Sequence, residues 1–329
     1  MTYRISPLWW PILGLASPLI VPMLVKKNRK YKANCMIAEQ LNRERFSRAD
    51  LLNLPELDFL ELTVLVEEKC IDGFIGDAGV SYLFRSNQGT LLYDVGFGAD
   101  RPAFTHNASR FGYNFKKVDG LMISHLHPDH MGGIKASRTK SVSVPIKLGS
   151  NENIPCFLPD KATANGYKAE HVKSPKLLPG GLATTGPLAR SLFFMGLTEE
   201  QAIVGRIKNK GLVIFTGCGH PTIEVILEMV SRLSDEPVYA IGGGLHFPIT
   251  KGRGNRLGIQ FQMIIGTGYP PWRRLNTDDL DRTIQAVNGV APQQVFLSAH
   301  DTCDWSLERM QNKLTAETRV LKAGESYRF

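Results

Sequence analysis

"SHLHPDHMGG", residues 124–133, sets His125, His127, Asp129 and His130 within six positions. A strand that ends in His-x-His sends alternate side chains to one face, so His125 and His127 can share one cation. Asp129 and His130 follow in a turn that Pro128 begins and Gly132–Gly133 close, which lets them aim at a second cation nearby. Imidazole with carboxylate oxygen suits zinc, and also iron or manganese. Four ligands fill neither position, so at least two more must come from elsewhere in the chain.

The candidates lie where apolar runs stop. "ELTVLVEEK" (61–69), "VSYLFRS" (80–86), "TLLYDVG" (90–96) and "VDGLMIS" (118–124) read as strands with Gly, Asp or Asn at their breaks. "GLVIFTG" (211–217), "PVYAIGG" (237–243) and "QVFLSAH" (294–300) read as strands too, separated by helices over 221–233 and 277–288. The segment 140–190, rich in Pro, Gly, Lys and Thr, reads as loops around an edge. Strand–helix alternation predicts an α/β (α+β) fold, with sheets covered by helices. His220 in "TGCGH", His246 in "GGGLHF" and His300 in "SAHDT" each fall just past a predicted strand, where neighbouring strand ends bring distant residues together. Cys218 reads as either a ligand or a small buried strand-end residue. Asp301 either orients a ligating histidine or serves a turn. His106 and His171 lie in loop-like sequence and read as structural.

The chain has 329 residues, 43% hydrophobic and 21% charged, which is ample for a core without disulfides. Its five cysteines include no Cys-x-x-Cys pair, which favours a reducing compartment. Of the net charge of +8, five units sit in "KKNRKYK" (26–32), so the basic balance is a local patch and no nucleic-acid partner is expected. Just before it, residues 5–25, "ISPLWWPILGLASPLIVPMLV", carry no charge. That is about the ~20 residues that cross a bilayer as a helix, and the following cations place what comes next on the cytoplasmic side. Pro7, Pro11, Pro18 and Pro22 work against a straight helix. The segment therefore spans, lies at the interface on its basic flank, or packs on the protein. Membrane lipid is the partner expected for residues 5–32. A connecting helix is expected over 33–52. The division drawn is 1–59 for anchor, basic cluster and connecting helix, and 60–329 for a catalytic domain.

Residues 124–133 resemble the His-x-His-x-Asp-His signature of the metallo-β-lactamase superfamily, and the likeness extends over most of 60–329. "GDAGVSYLFRSNQGTLLYDVGFG" (76–98) resembles that superfamily's first hairpin. "EEQAIVGRIKNKGLVIFTGCGHPTIEVI" and "AIGGGLHF" look like the branch of 7,8-dihydropterin-6-methyl-4-(β-D-ribofuranosyl)-aminobenzene-5′-phosphate synthases. The resemblance implies a four-layer αββα sandwich with two divalent metal ions, zinc foremost, on one rim. His125, His127 and His220 would hold one, and Asp129, His130 and His300 the other. Many relatives carry a bridging aspartate in a Gly-Asp pair. "IGGGLHF" has no acid there, so His246 is the candidate replacement.

The implied activity is hydrolysis of a small-molecule ester, lactone or phosphoester by a metal-bound hydroxide, with Asp129 orienting the nucleophile and shuttling its proton. A condensing enzyme like the branch synthases is the alternative, and a non-catalytic or redox iron scaffold at the membrane is a further one. Specificity is expected in the loops 97–116, 150–190 and 247–275, the last containing "GTGYPPWRR" (266–274).

Overall fold

Leu212 and Ile214 alternate along one strand with Val213 and Phe215, and all four are buried. A strand covered on both faces needs a layer on each side, and that requirement generates the architecture. A computed structural model describes residues 3–149 and 153–329. One sheet runs, edge to edge, through Ser326–Arg328, Leu60–Val66, Ser81–Ser86, Gly89–Tyr93, Gly120–Met122, Pro155–Leu158 and Lys168–His171. The other runs through Lys176–Leu178, Leu182–Thr184, Ile203–Ile207, Gly211–Thr216, Val238–Gly243, Gln294–Leu297 and Glu317–Val320, with Glu56–Leu57 pairing alongside Ile203–Ile207.

The two sheets meet through Tyr82, Phe84 and Tyr93 on one side and Val213, Phe215 and Phe296 on the other. Behind the second sheet, the helices Ile223–Leu233, Thr277–Gly289 and Asp304–Lys313 cover Leu212, Ile214 and Ile241. Behind the first, helices Ala103–Phe111 and Ile134–Thr139 cover Leu83, Leu92 and Leu121. The result is the αββα sandwich. Strands Gly211–Thr216, Val238–Gly243 and Gln294–Leu297 are parallel neighbours, so their C-terminal ends open on one rim.

The segment 140–190 differs from the loops expected. Pro155–Leu158 and Lys168–His171 extend the first sheet, and Lys176–Leu178 and Leu182–Thr184 begin the second. Their short length and interspersed Pro and Gly conceal the alternation that reveals longer strands. Residues 97–116 also differ from a substrate loop. They fold into Ala103–Phe111 and a turn at Phe115–Lys117 that pack on the outer face.

The N-terminal segment is not one straight span. Helix α1 (Trp10–Leu15) and helix α2 (Ser17–Ser47) meet at a 90° bend. No single helix among the described residues is long and apolar enough to cross a membrane, although the bent pair passes together by length and composition. Pro11 and Pro18 each stand in the opening turn of their helix, where a missing N–H costs nothing and the fixed φ favours a new start. The expected connecting helix over 33–52 is the continuation of α2, which ends at Ser47.

Candidate metal centre

His125, His220, His246 and His300 come soon after strand ends, while His127 caps and His130 lies within the short helix Pro128–Met131. His125, His127 and His220 bring one nitrogen apiece within 4.8 Å of one another, and so do Asp129, His130, Cys218 and His300 with their own donor atoms. Cys218, His220 and His246 form a third such group. His106 bonds to the carbonyl of Gly73 and His171 accepts from the amide of Ala162, and neither belongs to these groups.

Buried acids, directly or through a serine, fix which nitrogen faces inward in three of the rings. Asp94 accepts from Ser124 N at 2.6 Å, from Ser124 Oγ at 2.6 Å and from His130 Nδ1 at 2.7 Å. Because the Ser124 hydroxyl gives its proton to Asp94, it accepts from His125 Nδ1, 2.9 Å away. On the other side Ser298 donates to Glu67 and accepts from His300 Nδ1 at 2.5 Å. Three rings thus have Nδ1–H engaged and turn Nε2 to a common interior. His130 Nε2 and His300 Nε2 lie 3.1 and 3.2 Å from Cys218 Sγ. His125 Nε2, on a fully buried residue, has no hydrogen-bond partner, and both ring nitrogens of His246 are likewise unpartnered.

The buried, unpartnered nitrogens of His125 and His246 are acceptors that a cation between the groups would satisfy. The donor set of imidazoles, one carboxylate and one sulfur fits divalent transition metals. The electrostatics point the same way. Burial, and then the neighbouring rings, hold His125 and His130 well below the usual imidazole range, so they stand as neutral ligands. Burial alone lowers His127 to about 4, and burial first, then His300, lowers His246 to about 3. Burial also works to lower His300, but Asp301, Glu67 and Asp129 together push it up to about 9, so this position favours positive charge.

Cys218 stands at the centre of the rim. Burial pushes its thiol well above the ordinary value. Its position comes from Glu200, whose Oε1 accepts from the amides of Gly217, Cys218 and Gly219 at 3.1, 3.1 and 2.8 Å, and whose Oε2 accepts from His220 N at 2.8 Å. One buried carboxylate therefore shapes the whole "GCGH" turn. The thiol lies between His130 Nε2 and His300 Nε2. His246, the candidate for the position of the missing acid, lies with Cys218 and His220 in their own donor group, at a left-handed φ of 58°. Asp301 accepts from its backbone N–H at 3.1 Å and lies 3.8 Å from His300 Nε2.

Glu67, Asp94 and Glu200 were not among the residues singled out in the sequence. Glu67 and Asp94 do fall near the C-terminal ends of the predicted strands 61–69 and 90–96, at a rim already marked by histidines. Glu200 had no such signal.

Two hollows adjoin the centre. One is a cleft bordered by Asp129, Cys218, His246, Met195, Phe261 and Ile265. The other is a cavity of about 220 Å3 that shares His220 and His246 as a wall. Of the loops expected to set specificity, 247–275 supplies much of both linings.

Residues 75–224 match the model of the metallo-β-lactamase superfamily, and the chain carries a domain of that superfamily. It is similar to the 7,8-dihydropterin-6-methyl-4-(β-D-ribofuranosyl)-aminobenzene-5′-phosphate synthase of Methanocaldococcus jannaschii, at 23% identity over 60% of this chain and 80% of that protein. Among solved structures, a metal-dependent hydrolase of the β-lactamase superfamily shares the fold, with a TM-score of 0.58 at 18% identity over 82% of this chain and 98% of that one. The metallo-β-lactamase fold protein YhfI from Bacillus subtilis aligns with a TM-score of 0.48 at 16% identity, over 83% of this chain and all of that one.

Proposed function

We propose that the protein is a metal-dependent hydrolase of a small-molecule ester, lactone or phosphoester. His125, His127 and His220 would hold one divalent cation, zinc by donor type, and Asp129, His130, His300 and Cys218 a second. The observation that carries this reading is the convergence of two buried groups of donor atoms, His125–His127–His220 and Asp129–His130–Cys218–His300, beside ring nitrogens of His125 and His246 that have no partner. Bound cations there supply Lewis acidity toward the substrate oxygen and acidify water. Asp129 borders the open cleft with its side chain 27% exposed, so it can both touch solvent and accept a proton from an attacking water. Glu67, Asp94 and Ser124 hold the ligand rings in one tautomer. Met195, Phe261 and Ile265 keep the cleft mouth apolar.

The test combines metal analysis of protein purified without added metal with turnover on phosphodiester, lactone and thioester panels. Asp129→Asn is expected to lower kcat by about 10²–10⁴, with KM little changed and metal content at or above half of wild type. Near-normal turnover in that variant would remove Asp129 from the mechanism. Iron with no turnover would favour the redox or scaffold reading. A second reading rests on the likeness to the archaeal synthase. It uses the same centre for condensation, and product formation from a pterin and an aminobenzene partner would establish it.

The reading extends to where the protein works. Leu8, Trp10, Ile12, Leu15 and Leu19 are exposed on the bent helices, and Lys26, Arg29, Lys30 and Lys32 follow on the surface. An apolar face flanked by cations suits the interface of an anionic membrane. Residues 5–32 would rest there, with the catalytic domain 60–329 on the cytoplasmic side. Co-flotation with vesicles containing anionic lipid, lost when the five cations of 26–32 become Gln, is the expected result. Equal recovery with neutral vesicles alone would remove the electrostatic part.

A further inference from the structure

The cavity of about 220 Å3 beside His220 and His246 holds three arginines within reach of its walls, and they are not equivalent. Arg282 and Arg273 both pair with Asp279, which also accepts from Tyr269 OH at 3.1 Å. Arg190 has no carboxylate within 4 Å and no hydrogen-bond acceptor among the described residues, although it is half-buried. The other acid of the wall, Glu224, accepts from Thr283 Oγ1. A guanidinium at a cavity wall with no acceptor of its own has its donors free for an anionic ligand.

The surroundings are built to keep Arg190 in this place. Gly268 has φ +70°, and a Cβ there would stand 2.6 Å from Arg190 Nε, so a side chain at 268 would push the fork from its present place. The Tyr269 ring centre is 5.7 Å from Arg190 Cζ. The strand Leu188–Leu192 that bears Arg190 is held by α2. Asn42 accepts from Ala189 N at 2.7 Å and donates to Ala189 O at 2.9 Å, and Tyr31 OH donates to Gly268 O at 2.8 Å. Part of the N-terminal extension thus fixes both the arginine and the glycine opposite. Arg190 also lies near enough to His220 and His246 for its charge to work against their protonation. The hydroxyls of Thr222 and Thr267, elsewhere on the wall, donate to no group among the described residues.

We propose that this cavity is an oxyanion subsite in which Arg190, with Thr222 and Thr267, binds a phosphate group of the substrate. The inference rests on the metal-centre reading, since it places that phosphate next to the reacting group at His220 and His246. Donors on several walls suit a tetrahedral oxyanion, which accepts from several directions, better than a planar carboxylate.

The test is calorimetric titration of the metal-loaded full chain with inorganic phosphate and, separately, acetate, in wild type, Arg190→Gln and Arg190→Lys. Metal content and melting temperature are checked in parallel. Phosphate affinity should fall about tenfold or more in Arg190→Gln, partly recover in Arg190→Lys, and exceed that for acetate in wild type. Should Arg190→Gln fail to fold, Thr222→Val together with Arg190→Lys carries the comparison, and both should weaken phosphate. Equal phosphate affinity in wild type and variants overturns the proposal, as does an acetate affinity that depends on Arg190 as strongly as that of phosphate. Binding needs no turnover. Arg190-dependent phosphate binding in a protein that hydrolyses nothing would sink the hydrolase reading and leave the subsite. Hydrolysis with Arg190-independent phosphate binding would do the reverse.

Discussion

Replacing Glu200 tests how the rim is built. Its two oxygens take four consecutive amides, from Gly217 to His220, and the side chain is buried. Glu200→Gln can keep its carbonyl oxygen on Gly217, Cys218 and Gly219, but its amide nitrogen then faces His220 N–H, donor against donor. One buried donor left unsatisfied costs about 1–3 kcal/mol. The other three bonds lose their charge assistance, roughly half their strength. A loss of about 2–4 kcal/mol follows, against a total stability of about 5–15 kcal/mol, so the variant should still fold. Glu200→Ala strands all four amides and is expected to lie near the threshold of folding.

Because the misplaced amide is that of His220, metal affinity should also fall, about 10–100-fold. Urea denaturation of metal-free protein measures the first effect, and competition against a chromophoric chelator the second. If Glu200→Gln keeps stability within about 0.5 kcal/mol, the range of an ordinary surface change, and binds metal as wild type does, the carboxylate does not shape the turn.

Three further outcomes follow from the structure. Cobalt-substituted wild type should show a thiolate-to-metal charge-transfer band that Cys218→Ser lacks, and identical spectra would remove Cys218 from the ligand set. Asn42→Ala leaves the N–H and C=O of Ala189 without partners, so it should cost about 2–4 kcal/mol and speed proteolysis within α2, an unchanged melt being the contrary result. Hydrogen bonds from Arg309 and then Lys313 hold the Asp281 carboxyl at about 2, below its ordinary 3.8, so their contribution is present above pH 4 and lost as pH falls toward 2. The three side chains are partly exposed, so solvent and salt screen them. Asp281→Asn should flatten acid unfolding in that window, and an unaltered pH profile of melting would contradict it.

Local pattern carried the reading furthest where one element contains the whole signal. Alternation along "GLVIFTG" and the helical period of 221–233 are properties of single segments, and they appear as Gly211–Thr216 and Ile223–Leu233. It carried least in 140–190, where two- to four-residue strands owe their place to neighbours in the sheet. The apolar run 5–25 had the composition of a span, yet prolines placed to start helices turned it into a bend.

The amino-acid sequence by itself determined that a dense donor cluster stands at the end of a strand, with further histidines past three others, because spacing on one strand settles which side chains share a face. Only the tertiary structure decided which donors converge. Parallel pairing of Gly211–Thr216, Val238–Gly243 and Gln294–Leu297 puts Cys218 between His130 and His300. Glu67, 231 residues from Ser298, and Asp94, 36 residues from His130, set the tautomers. Arg190 faces the cavity because α2 holds its strand. Hydrogen bonds act over ångströms, and no local period records which distant segments the sheet order will bring that close.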